Sequence, residues 1–331
     1  MKTSLPAGRW TRTLTTVLRI AAAVVLIVVL LRRTDVGQAL GVVRAANLGF
    51  LLAGVLVMAI PMAIGGFRWW LLLRSQGLAM PYHSVLRVHI AGYALGTILP
   101  TSVGGDLLRV GYTTQDGKVG AALATVLTDR ILGVCGLLIL SCVASLLLLV
   151  RTGSPGLLAL AGTASAIVGV FLLALLVDPV YGRLSRPAAR LHFLRLGERL
   201  IRVADGVRRY RTQPRLILQT LGLSVLLWLV YSVVWCLLGA SVSSPAPLLS
   251  YFVCVPLVAL AAMLPISIGG LGVRENSFVL LMGRFRTPEV TAAAVALLFL
   301  GVVALYALVG ALLVVTLRRR SCQQASRLAR P

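Results

Sequence analysis

Charged side chains are scarce in this sequence. They make up 12% of its 331 residues, and only nine of them are Asp or Glu, whereas about a quarter of a soluble globular domain is charged. The three histidines and five cysteines are scattered and include no CxxC pair, so we expect no metal site, disulfide or cofactor. Acids and histidines are also too few for an evident acid/base pair or nucleophile, and we expect no independent catalysis.

Long apolar runs are abundant instead, and 59% of the residues are hydrophobic. Six runs are each long enough to cross roughly 30 Å of hydrocarbon: 14–31, 48–73, 119–150, 155–177, 216–240 and 290–317. The first run is followed by Arg32-Arg33 rather than by a small-residue cleavage site, which favours a retained span over a signal peptide. The sequence therefore predicts an all-α polytopic membrane protein with about six full spans.

Two further apolar stretches, 85–115 and 248–283, are interrupted near their centres. Neither half of each stretch is long enough to span alone, so we interpret both as broken re-entrant hairpins. With the N-terminus inside, this topology keeps most of the 32 Lys and Arg residues on the cytoplasmic side, as the positive-inside rule requires. It predicts a bacterial inner-membrane protein with cytoplasmic N- and C-termini.

A basic block occupies 183–215. Between 183 and 213 it contains nine arginines but only two acidic residues, Glu198 and Asp205. Apolar residues recur in it at helical spacing, which favours a cytoplasmic amphipathic segment on anionic headgroups. The alternative is a solvated connector whose arginines only anchor topology. In this membrane context the net charge of +23 indicates topology and lipid contact, and we expect no nucleic-acid partner.

One motif occurs twice, 165 residues apart. Leu99-Pro100-Thr101-Ser102-Val103-Gly104-Gly105-Asp106-Leu107-Leu108-Arg109 matches Leu264-Pro265-Ile266-Ser267-Ile268-Gly269-Gly270-Leu271-Gly272-Val273-Arg274 at Leu, Pro, Ser, both Gly and Arg. Three predicted crossings separate the copies, so the copies face opposite leaflets. The pattern predicts inverted halves, about 48–150 and 216–317, within one domain over 1–331, with the substrate site at their interface.

The motif has the chemistry of an anion site. Proline ends the incoming half-helix, and the glycine pairs permit tight backbone geometry and close approach of a ligand. The outgoing half-helix starts with free N–H groups and a positive dipole end. Arg109 and Arg274 follow about a turn later as bidentate phosphate donors, while Ser102 and Ser267 cap the helix or donate to the ligand. The alternative is structural: close helix packing, with arginines paired to acids.

Three acids lie at membrane depth: Asp106, Asp129 and Glu275. Asp129 has two open interpretations, since it either balances Arg109 or Arg274 or carries a proton in a coupled cycle. Its neighbour Arg130 points roughly 100° away on a helix, so the two need not pair. Glu275 directly follows Arg274 and fits either role.

These residues resemble the lysylphosphatidylglycerol synthase transmembrane (flippase-like) family over roughly 15–317. The most specific matches are Gly104-Gly105-Asp106-x-x-Arg109, Thr128-Asp129-Arg130-x-x-Gly133 and Pro265-Ile266-Ser267-Ile268-Gly269-Gly270-Leu271-Gly272-Val273-Arg274-Glu275. In the larger relatives this region moves aminoacylated phosphatidylglycerol between leaflets, whereas for this chain the resemblance implies lipid movement and leaves the lipid open, polyprenyl-linked and hopanoid lipids included. Larger relatives add a soluble domain that makes aminoacylated phosphatidylglycerol, and because the 331 residues contain no such domain, the resemblance implies the translocating half alone.

The favoured hypothesis is a translocase for an anionic, aminoacylated or polyprenyl-linked lipid, without a Gly-x-x-x-x-Gly-Lys-Ser/Thr nucleotide loop. The expected partners are membrane lipids with anionic headgroups. The alternatives are a small-anion secondary transporter and an accessory subunit of a separately encoded lipid or glycan synthesis enzyme. The predicted substrate-binding residues are Ser102, Gly104, Gly105, Asp106, Arg109, Asp129, Arg130, Ser267, Gly269, Gly270, Arg274 and Glu275.

Overall fold

A computed structural model of the chain describes residues 7–33, 35–98, 103–114, 118–152, 155–176, 209–264 and 266–328. All regular structure in these ranges is helical. The α-helices are α1 (Ala7–Arg33), α2 (Val36–Arg44), α3 (Leu48–Val57), α4 (Ala59–Ser75), α5 (Tyr82–Ile98), α6 (Val103–Thr113), α7 (Val119–Thr152), α8 (Gly156–Leu176), α9 (Pro214–Ser241), α10 (Leu248–Ala262), α11 (Val273–Gly283) and α12 (Glu289–Leu328). Short 3₁₀ turns occupy Arg209–Thr212 and Ile268–Gly270.

Four described segments are long and apolar enough to cross a bilayer: Leu48–Ser75, Val119–Arg151, Pro214–Ser241 and Glu289–Thr316. They coincide with four of the predicted runs, and the chain is a multi-pass membrane protein. The other two runs, 14–31 and 155–177, lie in α1 and α8. Their described apolar stretches are the shorter Val17–Val29 and Gly156–Ile167, so their crossing stays a prediction.

The first of these segments bends at Met58, between α3 and α4. Pro61 lies three residues further on and lacks the N–H that would bond to the carbonyl of Val57. Its ring also crowds that carbonyl, which explains the bend. Local sequence fixes the start of α3, since the side chain of Asn47 accepts hydrogen bonds from the N–H groups of Gly49 (2.9 Å) and Phe50 (3.4 Å).

Each predicted broken stretch contains two helices, and the motif extends into the start of the second helix. In the first, α5 ends at Ile98 and α6 begins at Val103. In the second, α10 ends at Ala262 and α11 begins at Val273. Several predicted features fall outside the described residues: Leu99 to Ser102, Pro265 and most of the basic block, 183–208.

The helices pack around a core of large aromatic side chains. Trp235 of α9 stacks on Phe299 of α12, with ring centroids 4.1 Å apart, and lies 4.4 Å from Phe278 of α11. The most extensive helix contact joins α5 to α12. These two backbones approach closely, because a methyl group added at Gly310 would lie 2.5 Å from the carbonyl oxygen of Ile90. Helices from both predicted halves therefore share one core.

Candidate functional site

A cavity of about 420 Å³ lies where the two motif copies meet. Helices α4, α5, α6, α7 and α9 contribute to its wall, together with the segment that contains the second motif. Most of the predicted substrate-binding residues line it: Gly105, Asp106, Arg109, Asp129, Arg130, Ser267, Gly269, Gly270 and Arg274. The structure thus brings together residues that lie up to 169 positions apart in the sequence, as the repeat predicted.

Three predicted residues are not among the described residues that line the cavity. Glu275 contacts Arg274 directly behind the wall. Gly104 lies in the first turn of α6 beside the lining residue Gly105. Ser102 is outside the described residues.

A buried charge cluster centres on Asp129 of α7. Its Oδ1 accepts a hydrogen bond from Arg68 Nε at 2.7 Å, and its Oδ2 accepts one from Arg109 Nη2 at 2.8 Å. Arg68 Nη1 also donates to Ser224 Oγ at 2.8 Å, and the Arg109 guanidinium lies 4.1 Å from the centre of the Trp69 ring. One carboxylate therefore holds two arginines from α4 and α6 in fixed positions, in the low-dielectric interior where such bonds are strong.

A second ion pair joins Asp106 of α6 to Arg130 of α7. Arg130 Nε and Nη2 donate to Oδ2 and Oδ1 of Asp106 at 2.9 and 3.1 Å. Arg109 Nη1 lies 3.8 Å from the same carboxylate. This pair is more open than the first, since the side chains of Arg130 and Asp106 are 48% and 24% exposed. Arg130 thus pairs with Asp106 rather than with Asp129, the residue before it, which agrees with the prediction that the two neighbours need not pair.

The third pair is formed within the second motif. Arg274 donates from Nε (3.0 Å) and Nη2 (2.7 Å) to Oε1 of Glu275, and both side chains are buried. Oε2 of Glu275 accepts from the backbone N–H of Gly272 at 2.7 Å. Glu275 therefore satisfies one of the free donors at the start of α11. The predicted anion site at this helix end already has one of its N–H groups occupied by the protein's own carboxylate.

The second glycine pair has the special backbone geometry that the motif predicted. Gly269 and Gly270 have φ values of +58° and +75°, in the left-handed region that side chains disfavour. A methyl group on Gly269 would also lie 2.7 Å from the carbonyl oxygen of Thr97. In the first motif, Gly105 is helical, and it permits contact between α6 and the backbone of Gly92 on α5.

Three buried polar atoms of the lining residues have no hydrogen-bond partner among the described residues. They are Oγ of Ser267, Nε of Arg109 and Nδ1 of His89, and Ser267 and Arg109 are each 6% exposed. Ser267 precedes the 3₁₀ turn without a side-chain capping bond, so the structure shows no capping role for it, and donation to a ligand stays a prediction. Buried donors without partners are uncommon in folded proteins and indicate a place for a ligand or water.

Several lining residues were missed by sequence reasoning. Arg68 is the most important, and its position inside the apolar run 48–73 is a signal that could have found it, since arginine at membrane depth defaults to function. Arg19 of α1 adds a fifth arginine to the described wall. Tyr93, Trp228 and Tyr231 form an aromatic part of the wall, and no motif distinguishes them from ordinary core aromatics.

Charge at the cavity is strongly biased. Five arginines line it among the described residues, against two aspartates in the wall and Glu275 behind it. The described residues contain no group of three or more His, Cys, Asp or Glu that could hold a metal ion. A cavity with guanidinium groups and aromatic rings suits an oxyanion such as a phosphate.

The fold and this cavity define a multi-pass membrane protein with an internal cationic site. Comparison with protein families places the chain more specifically. The model for the lysylphosphatidylglycerol synthase TM region matches residues 16–310, and the chain belongs to this family. A comparison with curated protein sequences gave no match.

Proposed function

We propose that this protein is a lipid translocase whose cavity receives the phosphate of an anionic, aminoacylated or polyprenyl-linked lipid. The observation that carries the proposal is the convergence of both motif copies on one arginine-lined cavity. Guanidinium forks bind phosphate oxygens in pairs, and arginine at membrane depth is costly unless it has a function. Family membership is consistent with a lipid as the ligand.

The proposed architecture is an inverted repeat with two re-entrant helix pairs. Helices α5 and α10 contain 17 and 15 residues, while α6 and α11 contain 11 each. At about 1.5 Å per residue the longest of them reaches roughly 26 Å, less than a hydrocarbon core of about 30 Å. Short helix pairs that meet at a site are typical of transporters built from inverted repeats.

The proposed location is a bacterial inner membrane, with both termini on the cytoplasmic side. The distribution of Lys and Arg supports this orientation. The basic block, of which 209–215 is described, would then meet anionic headgroups of the inner leaflet. The proposed role is transport without a chemical step, driven by an ion gradient or by the lipid's own gradient. A separately encoded lipid or glycan synthesis enzyme is a proposed partner that would supply the lipid.

The experiment is a leaflet assay in reconstituted liposomes with headgroup-labelled phosphatidylglycerol, phosphatidylethanolamine and a polyprenyl phosphate. We expect wild-type protein to expose at least one of these lipids to an externally added quencher faster than protein-free liposomes do. Arg109→Gln removes one of the guanidinium groups at the cavity and is expected to reduce that rate by about tenfold or more. The matched control is Arg151→Gln, because Arg151 is an exposed arginine at the end of α7 outside the cavity.

Two results would count against the proposal. Wild-type protein that is folded but moves none of the lipids would remove the translocase function. A rate that falls equally in Arg109→Gln and Arg151→Gln would show that the cavity is not the transport site. Uptake of radiolabelled inorganic phosphate without lipid movement would instead support the small-anion transporter, because the same arginine forks bind phosphate with or without a lipid attached.

A further inference from the structure

Three carboxylates lie at or behind the cavity wall, those of Asp106, Asp129 and Glu275, and each binds arginine in a different way. We propose that the Asp106 carboxylate occupies the phosphate subsite formed by Arg130 and Arg109, and that a phosphate ligand binds by displacing it. The inference rests on the proposed function, because it assigns the subsite within the same cavity.

The geometry of the Asp106–Arg130 pair is that of a guanidinium–oxyanion fork. Two nitrogens of Arg130 each donate to a different oxygen of the carboxylate, at 2.9 and 3.1 Å. A phosphate presents two oxygens to a guanidinium in the same parallel arrangement. Arg109 Nη1 lies 3.8 Å from the carboxylate, close enough to shorten its contact to a larger oxyanion.

Among the three ion pairs described at the cavity, the Asp106–Arg130 pair is the most easily exchanged. Asp129 is 3% exposed and shared by two arginines, and Glu275 is 3% exposed and also binds the N–H of Gly272. Removing either would leave a buried arginine without its counter-ion, which is costly. The half-exposed side chain of Arg130 loses little when its partner leaves, because exposed ion pairs contribute little stability.

Further donors line the same cavity as this subsite. Nε of Arg109 and Oγ of Ser267 are buried, line the cavity and have no partner among the described residues. The Asp106 carboxylate accepts no hydrogen bond from either of these two atoms. A phosphate monoester has three free oxygens, and a phosphodiester has two free oxygens and two weaker ester oxygens, so either group offers more acceptors than the two carboxylate oxygens. The ligand class is therefore a phosphate or phosphodiester with at least two free oxygens.

The test measures binding to the full chain purified in neutral detergent, by native mass spectrometry. The probes are dioleoyl phosphatidylglycerol, dioleoyl phosphatidylcholine and inorganic phosphate. Asp106→Asn removes the competing charge, so the fraction of protein with a free subsite rises. We expect the affinity for phosphatidylglycerol to increase about two- to fivefold. Arg130→Gln is expected to lower it by a similar factor or more, because it removes one half of the subsite.

The matched control is Asp35→Asn, which makes the same substitution at an exposed helix cap outside the cavity. It is expected to leave lipid affinity unchanged. If Asp106→Asn does not fold, as judged by its melting temperature, Asp106→Ser makes the same charge removal with a smaller side chain. A gain in affinity for Asp106→Asn together with a loss for Arg130→Gln is the decisive readout, since a displaced carboxylate and the guanidinium that it pairs with act on the ligand in opposite directions.

The outcomes separate this inference from the proposed function. If wild type binds phosphatidylglycerol and the Asp106 variants bind it no more tightly, the displacement is wrong while the translocase proposal stands. If wild type binds inorganic phosphate but no lipid, and Asp106→Asn tightens that binding, the subsite is supported and the lipid function is overturned. If wild type binds none of the probes, both are overturned.

Discussion

Arg109 and Arg274 occupy the same position in the repeated motif, yet different parts of the chain hold them. Arg109 on α6 bonds to Asp129 on α7, which also binds Arg68 on α4. Arg274 bonds to Glu275, the next residue along the chain. The first copy therefore joins three helices through one carboxylate, whereas the second copy neutralises its arginine locally.

The glycine pairs of the two motif copies show the same contrast between contacts across helices and local structure. Gly269 and Gly270 adopt left-handed backbone angles, which shape the turn before α11. Gly105 is helical and matters because the backbone of α5 lies against it. In the second copy the motif fixes its own local conformation, and in the first it mediates contact between helices. Identical sequence letters can thus serve long-range assembly in one half of a repeat and local geometry in the other.

The largest expected effect comes from breaking the first copy's shared carboxylate. Asp129→Ala leaves Arg68 and Arg109 buried without their counter-ion, and we expect the free energy of unfolding to fall by roughly 3–5 kcal/mol. Denaturant titration in detergent micelles measures this loss. Asp106→Ala removes a carboxylate from the more open pair and is expected to cost less than about 1 kcal/mol. Equal losses in the two variants would contradict the distinction between the pairs.

A smaller effect is expected at the second copy's turn. Gly269→Ala forces a side chain into the left-handed region and close to the Thr97 carbonyl, so we expect a loss of about 1–3 kcal/mol in the free energy of unfolding. Gly111→Ala in α6 is the control, because a methyl group there meets nothing within 4 Å. Alanine in that helix is expected to stabilise it slightly. A neutral Gly269→Ala would show that the turn does not need the left-handed conformation.

The smallest effect on stability is expected from Arg130→Lys. Lysine keeps the positive charge but loses the fork that grips both oxygens of Asp106, so we expect the melting temperature to change by no more than a few degrees. Binding of phosphatidylglycerol should still weaken several-fold, because a point charge replaces the bidentate contact. Native mass spectrometry measures this affinity. If Arg130→Lys binds phosphatidylglycerol as tightly as wild type does, Arg130 does not form a phosphate subsite.

Features that depend on local sequence could be predicted. Four apolar runs agree with the long apolar segments, and the motif predicted the break between α10 and α11 to within a few residues. The repeat also predicted that Arg109 and Arg274 would line the same cavity, as they do. Pattern sufficed here because apolar length and proline–glycine breaks act within one helix.

Partner choice among the charges could not be predicted in the same way. Asp129 had two candidate arginines in the motif, and the structure pairs it with Arg109 and also with Arg68, 61 positions earlier. That choice depends on the rotation of α4 and α7 about their axes and on the depth at which they cross. Apolar composition determines neither the rotation nor the crossing depth, because positions that face lipid and positions that face other helices are both hydrophobic.

The contact between Gly310 and Ile90 has a mechanical consequence. It fastens α5, which leads into the first motif, to α12, the last helix, with the two backbones nearly touching. Close packing of this kind is stabilised by many short-range van der Waals contacts, and all of them are lost once the two helices separate. Helix movements that change the shape of the cavity are therefore expected to leave α5 and α12 together.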